Sequence, residues 1–206
     1  MYACSTTITA ARSAIDAGVS HVQGSARPLM LDMAGCIGVS MLVDRTSGQC
    51  IMTSAWRDAA AMWASEAEVR PIRARVAEIL GGRPEVEEWE IAIMDRDHCA
   101  GAESWVRATW VRIDPDYADQ AVEDYRLVLL PQVREFDGFC SVSLMIDRTS
   151  GYAVSSVAFD RYEAMLHNRN LAAVVRERRA REIRAEIIEV GEFELAVAHL
   201  RVPEFV

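Results

Sequence analysis

Two stretches of the 206-residue chain are nearly the same: GCIGVSMLVDRTSG at residues 35–48 and GFCSVSLMIDRTSG at residues 138–151. They begin 103 residues apart, which is half the length of the chain. Over the 28 positions that start at Gly35 and Gly138, 11 are identical, whereas average residue frequencies give roughly two matches by chance. Because similarity at a fixed spacing is the mark of repeated structure, the sequence predicts a duplicated domain.

The register of the repeat extends beyond these two stretches. Pro28 is matched by Pro131, and WEIAIM from Trp89 is matched by FELAVA from Phe193 after the insertion of one residue. We therefore expect a first repeat over residues 1–96 and a second over residues 103–206.

The second repeat shows the order of its elements clearly. Alternating side chains from Trp105 to Arg112 predict a strand, and Asp114-Pro115 predicts the start of a helix. Alternation resumes at Phe139, and DRTSG is typical of a hairpin turn that leads into a third strand. A long helical region and a strand from Phe193 follow, so the order is β-α-β-β-α-β, the split ferredoxin-like motif.

The first repeat has the same order, with a poorer first helix because Gly18 and Gly24 interrupt its apolar spacing. Neither face of the predicted strands is strongly polar, so each sheet needs cover on both faces. The expected fold class is α+β, with two tandem ferredoxin-like halves packed sheet to sheet as an intrachain dimeric α/β barrel. Since the fusion already supplies both copies, we expect a monomer with an internal pseudo-dimer, or a weak homodimer.

Charge and composition exclude several classes of function. All 22 basic residues are arginine and 31 residues are acidic, so the net charge is −9. The lack of lysine excludes Schiff-base chemistry and the phosphate loop that ends in Gly-Lys-Ser/Thr. We expect no nucleic-acid or membrane partner, because both reward an excess of basic residues. The run from Arg176 to Arg184 is interleaved with glutamate and predicts a solvated helix face.

The cysteines and the amino terminus favour a cytoplasmic protein. The five cysteines are odd in number and lack a Cys-x-x-Cys pair, and the first residues lack a secretory signal. The four histidines have no metal-ligand spacing, so we predict no metal site. The cluster from Asp95 to Cys99 is interpreted as a solvated loop.

The chain resembles the antibiotic-biosynthesis-monooxygenase-like group of the dimeric α/β-barrel superfamily. The resemblance rests on the glycine-started strand, the DRTSG-like hairpin, and the third strand that ends in an aromatic residue, Trp56 or Phe159. It also rests on the helical segment that follows, where Met62 and Met165 correspond. The group includes cofactor-independent monooxygenases and haem-degrading enzymes, and the fold alone does not choose among them.

The resemblance implies that ligand-facing groups lie on and after the third strand. The candidate ligand-binding residues are Trp56, Trp63, Tyr152, Tyr162, His167 and Asn168. Asn168 and its counterpart Ser65 also suit helix N-caps. No catalytic residue is assigned.

Three functions stay open at this point. The first is binding of a small hydrophobic, aromatic or polyketide-like molecule, with cofactor-independent monooxygenation as its enzymatic form. The second is haem binding through His167, since haem-degrading relatives use a histidine on this helix, with a tryptophan and an asparagine beside the haem. Here Phe159 stands where the first half has Trp56, so breakdown of haem is not implied. The third is a non-catalytic barrel. We expect no cofactor for the first function, and a pocket of roughly 300 Å³ or more in at least one half.

Overall fold

The computed structural model describes residues 1–98, 100, 101 and 103–200 of the chain. Within these residues the strands are β1 (Tyr2–Thr9), β2 (Cys36–Val43), β3 (Gln49–Trp56), β4 (Glu85–Arg96), β5 (Trp105–Arg112), β6 (Phe139–Asp147), β7 (Tyr152–Phe159) and β8 (Glu186–Leu200). The α-helices are α1 (Ile15–His21), α2 (Arg27–Leu31), α3 (Ala59–Leu80), α4 (Ala118–Asp124), α5 (Leu130–Arg134), α6 (Tyr162–His167) and α7 (Arg169–Glu182). Each half therefore has the predicted β-α-β-β-α-β order.

The strands form one hydrogen-bonded sheet. Their order is β1-β3-β2-β8-β5-β7-β6-β4, and this order closes on itself as a barrel. The pairs β1–β3, β2–β3, β4–β6, β5–β7, β5–β8 and β6–β7 are all antiparallel. The closed order confirms the predicted α+β class, a barrel built from two ferredoxin-like copies in one chain.

The chain divides into two compact units. Unit 1 comprises residues 1–89 and the segment that starts at Leu195, and unit 2 comprises residues 90–194. The long strands β4 and β8 thus contribute one end to each unit. In unit 1, Trp89 Nε1 donates to Ser5 Oγ at 2.8 Å. In unit 2, the rings of Phe193 and Trp110 meet edge to face with centroids 6.1 Å apart.

The repeated DRTSG segment forms the same turn in both halves. Asp44 accepts hydrogen bonds from Thr46 N at 2.7 Å and Ser47 Oγ at 2.5 Å, and Asp147 accepts the equivalent bonds at 2.9 and 2.5 Å. Gly151 closes the second turn with φ +69°, and a Cβ there would lie 1.9 Å from the carbonyl oxygen of Ile113. Turn geometry therefore accounts for the aspartate and the glycine in each copy.

The arginines of these turns form ion pairs. Arg45 donates to Asp16 at 2.7 Å, and Arg148 bridges Glu90 at 2.6 Å and Asp119 at 2.6 Å. Arg45 is exposed and Arg148 is half-buried.

The first helical region of unit 1 is better formed than its glycines predict. The backbone stays helical from α1 through α2, joined by a wide π turn over Val22–Ala26. Gly18 is buried where α1 meets α3, and a Cβ at this position would lie 2.3 Å from Leu80 Cδ2. The glycine therefore allows close helix packing that offsets its low helix propensity, and the expectation of a poor helix is corrected.

The same wide turn occurs in both copies, just before a proline. Val22–Ala26 precedes Pro28, and Tyr125–Leu129 precedes Pro131. Proline has no N–H to continue an α-helical ladder, so a wider turn before it relieves the lost bond. In unit 2 this turn places Tyr125 in the buried core.

The helix after the third strand differs between the units. In unit 1, α3 runs for 22 residues, and Asp58 caps its start by accepting from Ala61 N at 2.8 Å. Ser65 therefore lies inside α3 and not at an N-cap, and its hydroxyl donates to Met62 O at 2.7 Å. In unit 2, the break between α6 and α7 falls at Asn168. Among the described helices, none is both long and apolar enough to cross a membrane.

Candidate functional site

Unit 2 contains a cavity of about 130 Å³ between its strands and its helices. Strands β5, β6 and β7 and helices α4, α5 and α7 all contribute to its wall. Most of the lining side chains are apolar: Val111, Ile113, Val122, Leu129, Val133, Phe136, Leu144, Ile146, Val157, Phe159, Val175 and Ile183. A concave apolar wall of this kind is typical of small-molecule sites.

Arg107 is the most buried charged group of this wall, with 5% of its surface exposed. It stands on β5, where its Nε and Nη2 donate to Glu192 Oε1 at 3.2 and 2.9 Å. Nη2 also donates to Met165 O at 2.7 Å. Its Nη1 is buried and has no hydrogen-bond partner among the residues that the structure describes.

Arg176 enters the same wall from α7. Its Nε is also buried without a hydrogen-bond partner in the described part of the chain. Burial, and after it the positive charge of Arg107, lowers the pKa of Arg176. The like charges of the two guanidinium groups therefore repel each other beside the cavity.

Glu192 is the carboxylate that faces these arginines. It accepts from Arg107 and from Arg169, whose Nε lies 3.1 Å from Oε1. Burial alone would raise the pKa of Glu192, but hydrogen bonds from Arg169 and Arg107 hold this pKa below its ordinary value. Glu192 is thus ionised at neutral pH, and it is already shared between two cations.

Tyr125 is the other polar group buried in the wall. Its hydroxyl lies 2.6 Å from Ser155 Oγ, and both residues line the cavity. Burial raises the pKa of Tyr125 to about 12. At neutral pH the side chain is therefore a neutral phenol that can donate or accept a hydrogen bond but cannot act as an anionic base.

Unit 1 has a different cavity, of about 220 Å³. Its lining residues are Cys4, Ser54, Trp56, Met62, Trp63, Ser65, Glu66, Val69, Arg73 and Glu88. The repeat register makes Arg73 the counterpart of Arg176, Cys4 that of Arg107, and Glu66 that of Arg169. Arg73 donates to both carboxylate oxygens of Glu66, at 3.2 and 3.0 Å, and to Cys4 Sγ at 3.6 Å.

Neither of these two cavities reaches the expected 300 Å³. In unit 1, part of the space that unit 2 keeps open is filled, because Met30 and Met52 stand where unit 2 has Val133 and Ser155. Both methionines are buried in the unit 1 core. The larger unit 1 cavity is lined both by the exposed Trp63 and by four core residues, Cys4, Trp56, Met62 and Val69.

Two of the predicted ligand-binding residues line the unit 1 cavity. Trp56 is buried at the end of β3, and its Nε1 donates to Ser54 Oγ at 3.0 Å. Trp63 is 63% exposed on α3, and its Nε1 donates to Glu88 Oε2 at 3.1 Å. The structure thus brings these two tryptophans together at one cavity.

The other four predicted residues lie in unit 2 but outside the lining of its cavity. Tyr162 packs its ring against Trp105 with centroids 4.5 Å apart, and Tyr152 lies under the Arg112 guanidinium at 6.0 Å. His167 is exposed at the end of α6. Asn168 is buried and donates to Asp137 O at 3.0 Å and Ala164 O at 2.8 Å, so its amide makes no N-cap bond.

Arg107, Tyr125 and Arg176 are not among the site residues predicted from the sequence. A signal for Arg107 was present, because it shares one face of β5 with Thr109 and Val111 and is the charged residue on that face. Arg176 belongs to a run interpreted as a solvated helix face, and this interpretation holds for Arg178 and Arg181, which are exposed. It is wrong for Arg176, which is half-buried in the cavity wall.

His98 of the linker cluster makes two side-chain contacts. His98 Nε2 lies 3.3 Å from Cys140 Sγ, and His98 Nδ1 lies 2.9 Å from Asp97 Oδ2. Burial raises the pKa of the Cys140 thiol to about 11, so the sulfur is protonated at neutral pH and is not an activated nucleophile. Cys99 lies outside the described residues. Within those residues, no three His, Cys, Asp or Glu side chains are placed to hold a metal ion.

Solved structures show to which class this fold belongs. A protein from Lactobacillus acidophilus NCFM, provisionally described as a monooxygenase, matches with a TM-score of 0.69 and 10% identity over 97% of this chain and 96% of that chain. An anthrone oxidase-like protein matches with a TM-score of 0.67 and 12% identity over 99% and 94% of the two chains. A heme-degrading enzyme from Listeria monocytogenes matches with a TM-score of 0.51 and 8% identity over 95% and 99%. These matches show the antibiotic-biosynthesis-monooxygenase-like fold, and the fold alone.

Closer relatives exist in Mycobacterium tuberculosis (strain ATCC 25618 / H37Rv). The uncharacterized protein Rv2557 is 53% identical over 206 residues, which is 100% of this chain and 92% of that protein. The uncharacterized protein Rv2558 is 49% identical over 207 residues, which is 100% of this chain and 88% of that protein. No protein-family model matches the sequence. The chain belongs to the family of these uncharacterized mycobacterial proteins.

Proposed function

We propose that unit 2 binds a small apolar molecule, with an aromatic ring or a short chain, in its cavity. The observation that supports this proposal is the composition of the wall, in which apolar side chains surround a space reached by Arg107, Tyr125 and Arg176. An apolar wall with a few polar groups holds a ligand by burial and orients it by hydrogen bonds.

The volume of the cavity limits the size of this ligand. A cavity of about 150 Å³ lined by aliphatic and aromatic side chains is large enough to bind benzene. At about 130 Å³, the unit 2 cavity suits a single ring better than a polyketide of several fused rings.

Oxidation of a phenol by dioxygen is the catalytic form of this proposal. A phenol with a free para position, such as 2,6-dimethylphenol, would become a para-quinone. One oxygen atom of dioxygen would form the new carbonyl at the para carbon. The other oxygen atom would leave as water, with hydrogens from the phenol hydroxyl and the para carbon. The phenol supplies all the electrons, so no separate reductant takes part. The guanidinium of Arg107 would favour the reactive phenolate over the phenol.

Two measurements on the purified protein with 2,6-dimethylphenol test the proposal. Isothermal titration measures binding, and an oxygen electrode measures the consumption of dioxygen. Ala172 lines the cavity on α7, whereas its neighbour Ala173 does not. We expect Ala172→Leu to weaken binding at least tenfold by filling the space, and Ala173→Leu to bind as the unaltered protein does. Equal binding by both variants would place the ligand elsewhere.

Trp56→Phe and Tyr162→Phe test the residues predicted from the sequence. A loss of binding or of oxygen uptake in either variant would move the site away from the unit 2 cavity, because neither side chain lines it. If no phenol of a wider panel binds and no oxygen is consumed, the proposal fails and the non-catalytic barrel is favoured.

The alternative of haem held by His167 does not fit the two cavities described. His167 is exposed and lines neither of them, and a porphyrin is far larger than the unit 2 cavity. Titration of haemin with observation of the Soret band checks this directly, and a saturable band lost in His167→Ala would restore haem as the ligand.

A further inference from the structure

Unit 2 carries an excess of positive charge beside its cavity. The described lining of this cavity includes Arg107, Arg176 and Arg179 and no carboxylate. The acidic partners of these arginines, Glu192 for Arg107 and Glu182 for Arg179, lie outside that lining. Burying cations without matching anions is costly, and a buried charge normally has a partner. An anion bound in the cavity would add negative charge to a described lining that has none of its own.

Two unsatisfied hydrogen-bond donors belong to the arginines of this wall. Arg107 Nη1 and Arg176 Nε are buried, line the same cavity and have no hydrogen-bond partner among the described residues. A buried donor without an acceptor is costly, and the cost is larger for a charged group. A carboxylate has two oxygens that can accept from two such donors at once.

Unit 1 lacks this arrangement at the equivalent positions. Arg73 also has a buried Nε without a partner, but both of its Nη atoms donate to Glu66. Cys4 replaces Arg107, so a second guanidinium is missing from this position. Arg73 in unit 1 is therefore paired with Glu66 through both of its Nη atoms, whereas Arg107 in unit 2 shares Glu192 with Arg169.

We propose that the ligand of unit 2 is an apolar carboxylate, with its ring or chain in the cavity and its carboxylate on Arg107 Nη1 and Arg176 Nε. This inference rests on the proposed function and adds the chemical class of the ligand. The apolar wall excludes a small polar anion, and the arginine pair disfavours a neutral molecule of the same shape.

A matched pair of probes tests the carboxylate. The pair is 4-ethylbenzoate and 4-ethylbenzyl alcohol, which share the ring and the ethyl group and differ in the charged head; acetate supplies the head without the ring. We expect 4-ethylbenzoate to bind at least tenfold more tightly than the alcohol by isothermal titration at pH 7, and acetate not to bind measurably.

Variants of the arginines identify the site. Arg176→Met keeps much of the length of the side chain and removes its charge. We expect this variant to bind 4-ethylbenzoate about tenfold to a hundredfold more weakly, and to bind the alcohol with unchanged affinity. Two controls remove an arginine elsewhere: Arg73→Met at the equivalent position in unit 1, and Arg181→Met on the exposed face of α7. Both should bind 4-ethylbenzoate normally.

Arg107→Met is a second test, because Arg107 also bonds Glu192 and Met165 and its loss could loosen unit 2. Unchanged binding of the alcohol by this variant shows that the cavity is intact, and loss of 4-ethylbenzoate alone then supports the inference.

The outcomes separate this inference from the proposed function. If the two probes bind with equal affinity, or if Arg176→Met and Arg181→Met bind 4-ethylbenzoate with equal affinity, the ligand is not a carboxylate held by these arginines. The proposal of an apolar site in unit 2 is unaffected by that result. If neither probe binds, the proposed function fails and the inference fails with it.

Discussion

Tyr125 is a buried residue whose pKa depends on its surroundings. Its ring lies in the unit 2 core, and its hydroxyl finds Ser155 Oγ at 2.6 Å. Burial raises its pKa from 10.0 to about 12, although the hydrogen bond with Ser155 acts in the opposite direction. The folded protein therefore holds this proton more tightly than the unfolded chain does. The resulting stability is present in full below pH 10 and is lost as pH rises towards 12.

This pKa shift predicts the alkaline stability of the protein. Between pH 9 and 11, we expect the free energy of unfolding to fall about 1 kcal/mol further in the unaltered protein than in Tyr125→Phe. The cysteine thiols, whose pKa burial also raises, contribute equally to both proteins. Urea unfolding at pH 9, 10 and 11 measures the difference. Parallel pH profiles for the two proteins would show that Tyr125 ionises as readily in the folded state as in the unfolded chain.

At the scale of the element, the first helical region of unit 1 shows packing overriding propensity. Gly18 and Gly24 both weaken a helix in isolation by about 1 kcal/mol relative to alanine. Gly18 nevertheless lies against Leu80 of α3, where no Cβ fits, while Gly24 has open space around it. The two glycines therefore have the same helix propensity but different surroundings, since only Gly18 is closely packed.

Alanine substitution at the two glycines should give effects of opposite sign. We expect Gly18→Ala to lower the free energy of unfolding by about 1–3 kcal/mol, because its methyl group would push α1 away from α3. Gly24→Ala should leave stability unchanged or raise it by about 0.5–1 kcal/mol, through the lower entropy of the unfolded chain. Thermal and urea unfolding of the two variants measure both effects. A Gly18→Ala protein as stable as Gly24→Ala would contradict the tight packing against Leu80.

At the scale of the whole molecule, the repeat in the sequence and the compact units in space are not the same segments. Unit 1 needs the end of β8, whose Val197 is 3% exposed and packs in the unit 1 core. Unit 2 needs residues 90–96 of β4, where Ile93 packs in the unit 2 core. Each repeat thus supplies part of a strand to the unit that contains most of the other repeat.

A fragment that ends at residue 96 should therefore not fold as the whole chain does. It lacks Val197 and the strand segment around it, so core side chains of unit 1 would face water. We expect this fragment to lack a cooperative thermal transition by circular dichroism. In the full chain, Val197→Ala should cost about 1–3 kcal/mol of stability. A fragment that unfolds cooperatively at the temperature of the full chain would show that unit 1 is complete without β8.

The parts of the fold that were predicted correctly depend on residues close together in the chain. The turn at Asp147 needs Thr149 and Ser150, and the strand before it needs an alternation over a few residues. The candidate site was harder to predict because its parts are distant. Arg107 and Glu192 stand 85 residues apart, and a hydrogen bond between them follows from strand pairing alone.

The sequence by itself determined the duplication, the β-α-β-β-α-β order and the resemblance to the monooxygenase-like barrels, because repeated identity and local periodicity are visible without coordinates. Only the tertiary structure decided which copy keeps an apolar cavity and which arginines enter it. The spacing of Arg176 is that of a helix face, and a helix face becomes a cavity wall or a solvated surface according to what packs against it. Burial is a property of the packed chain, so Arg176 and Arg181, five positions apart, have different environments.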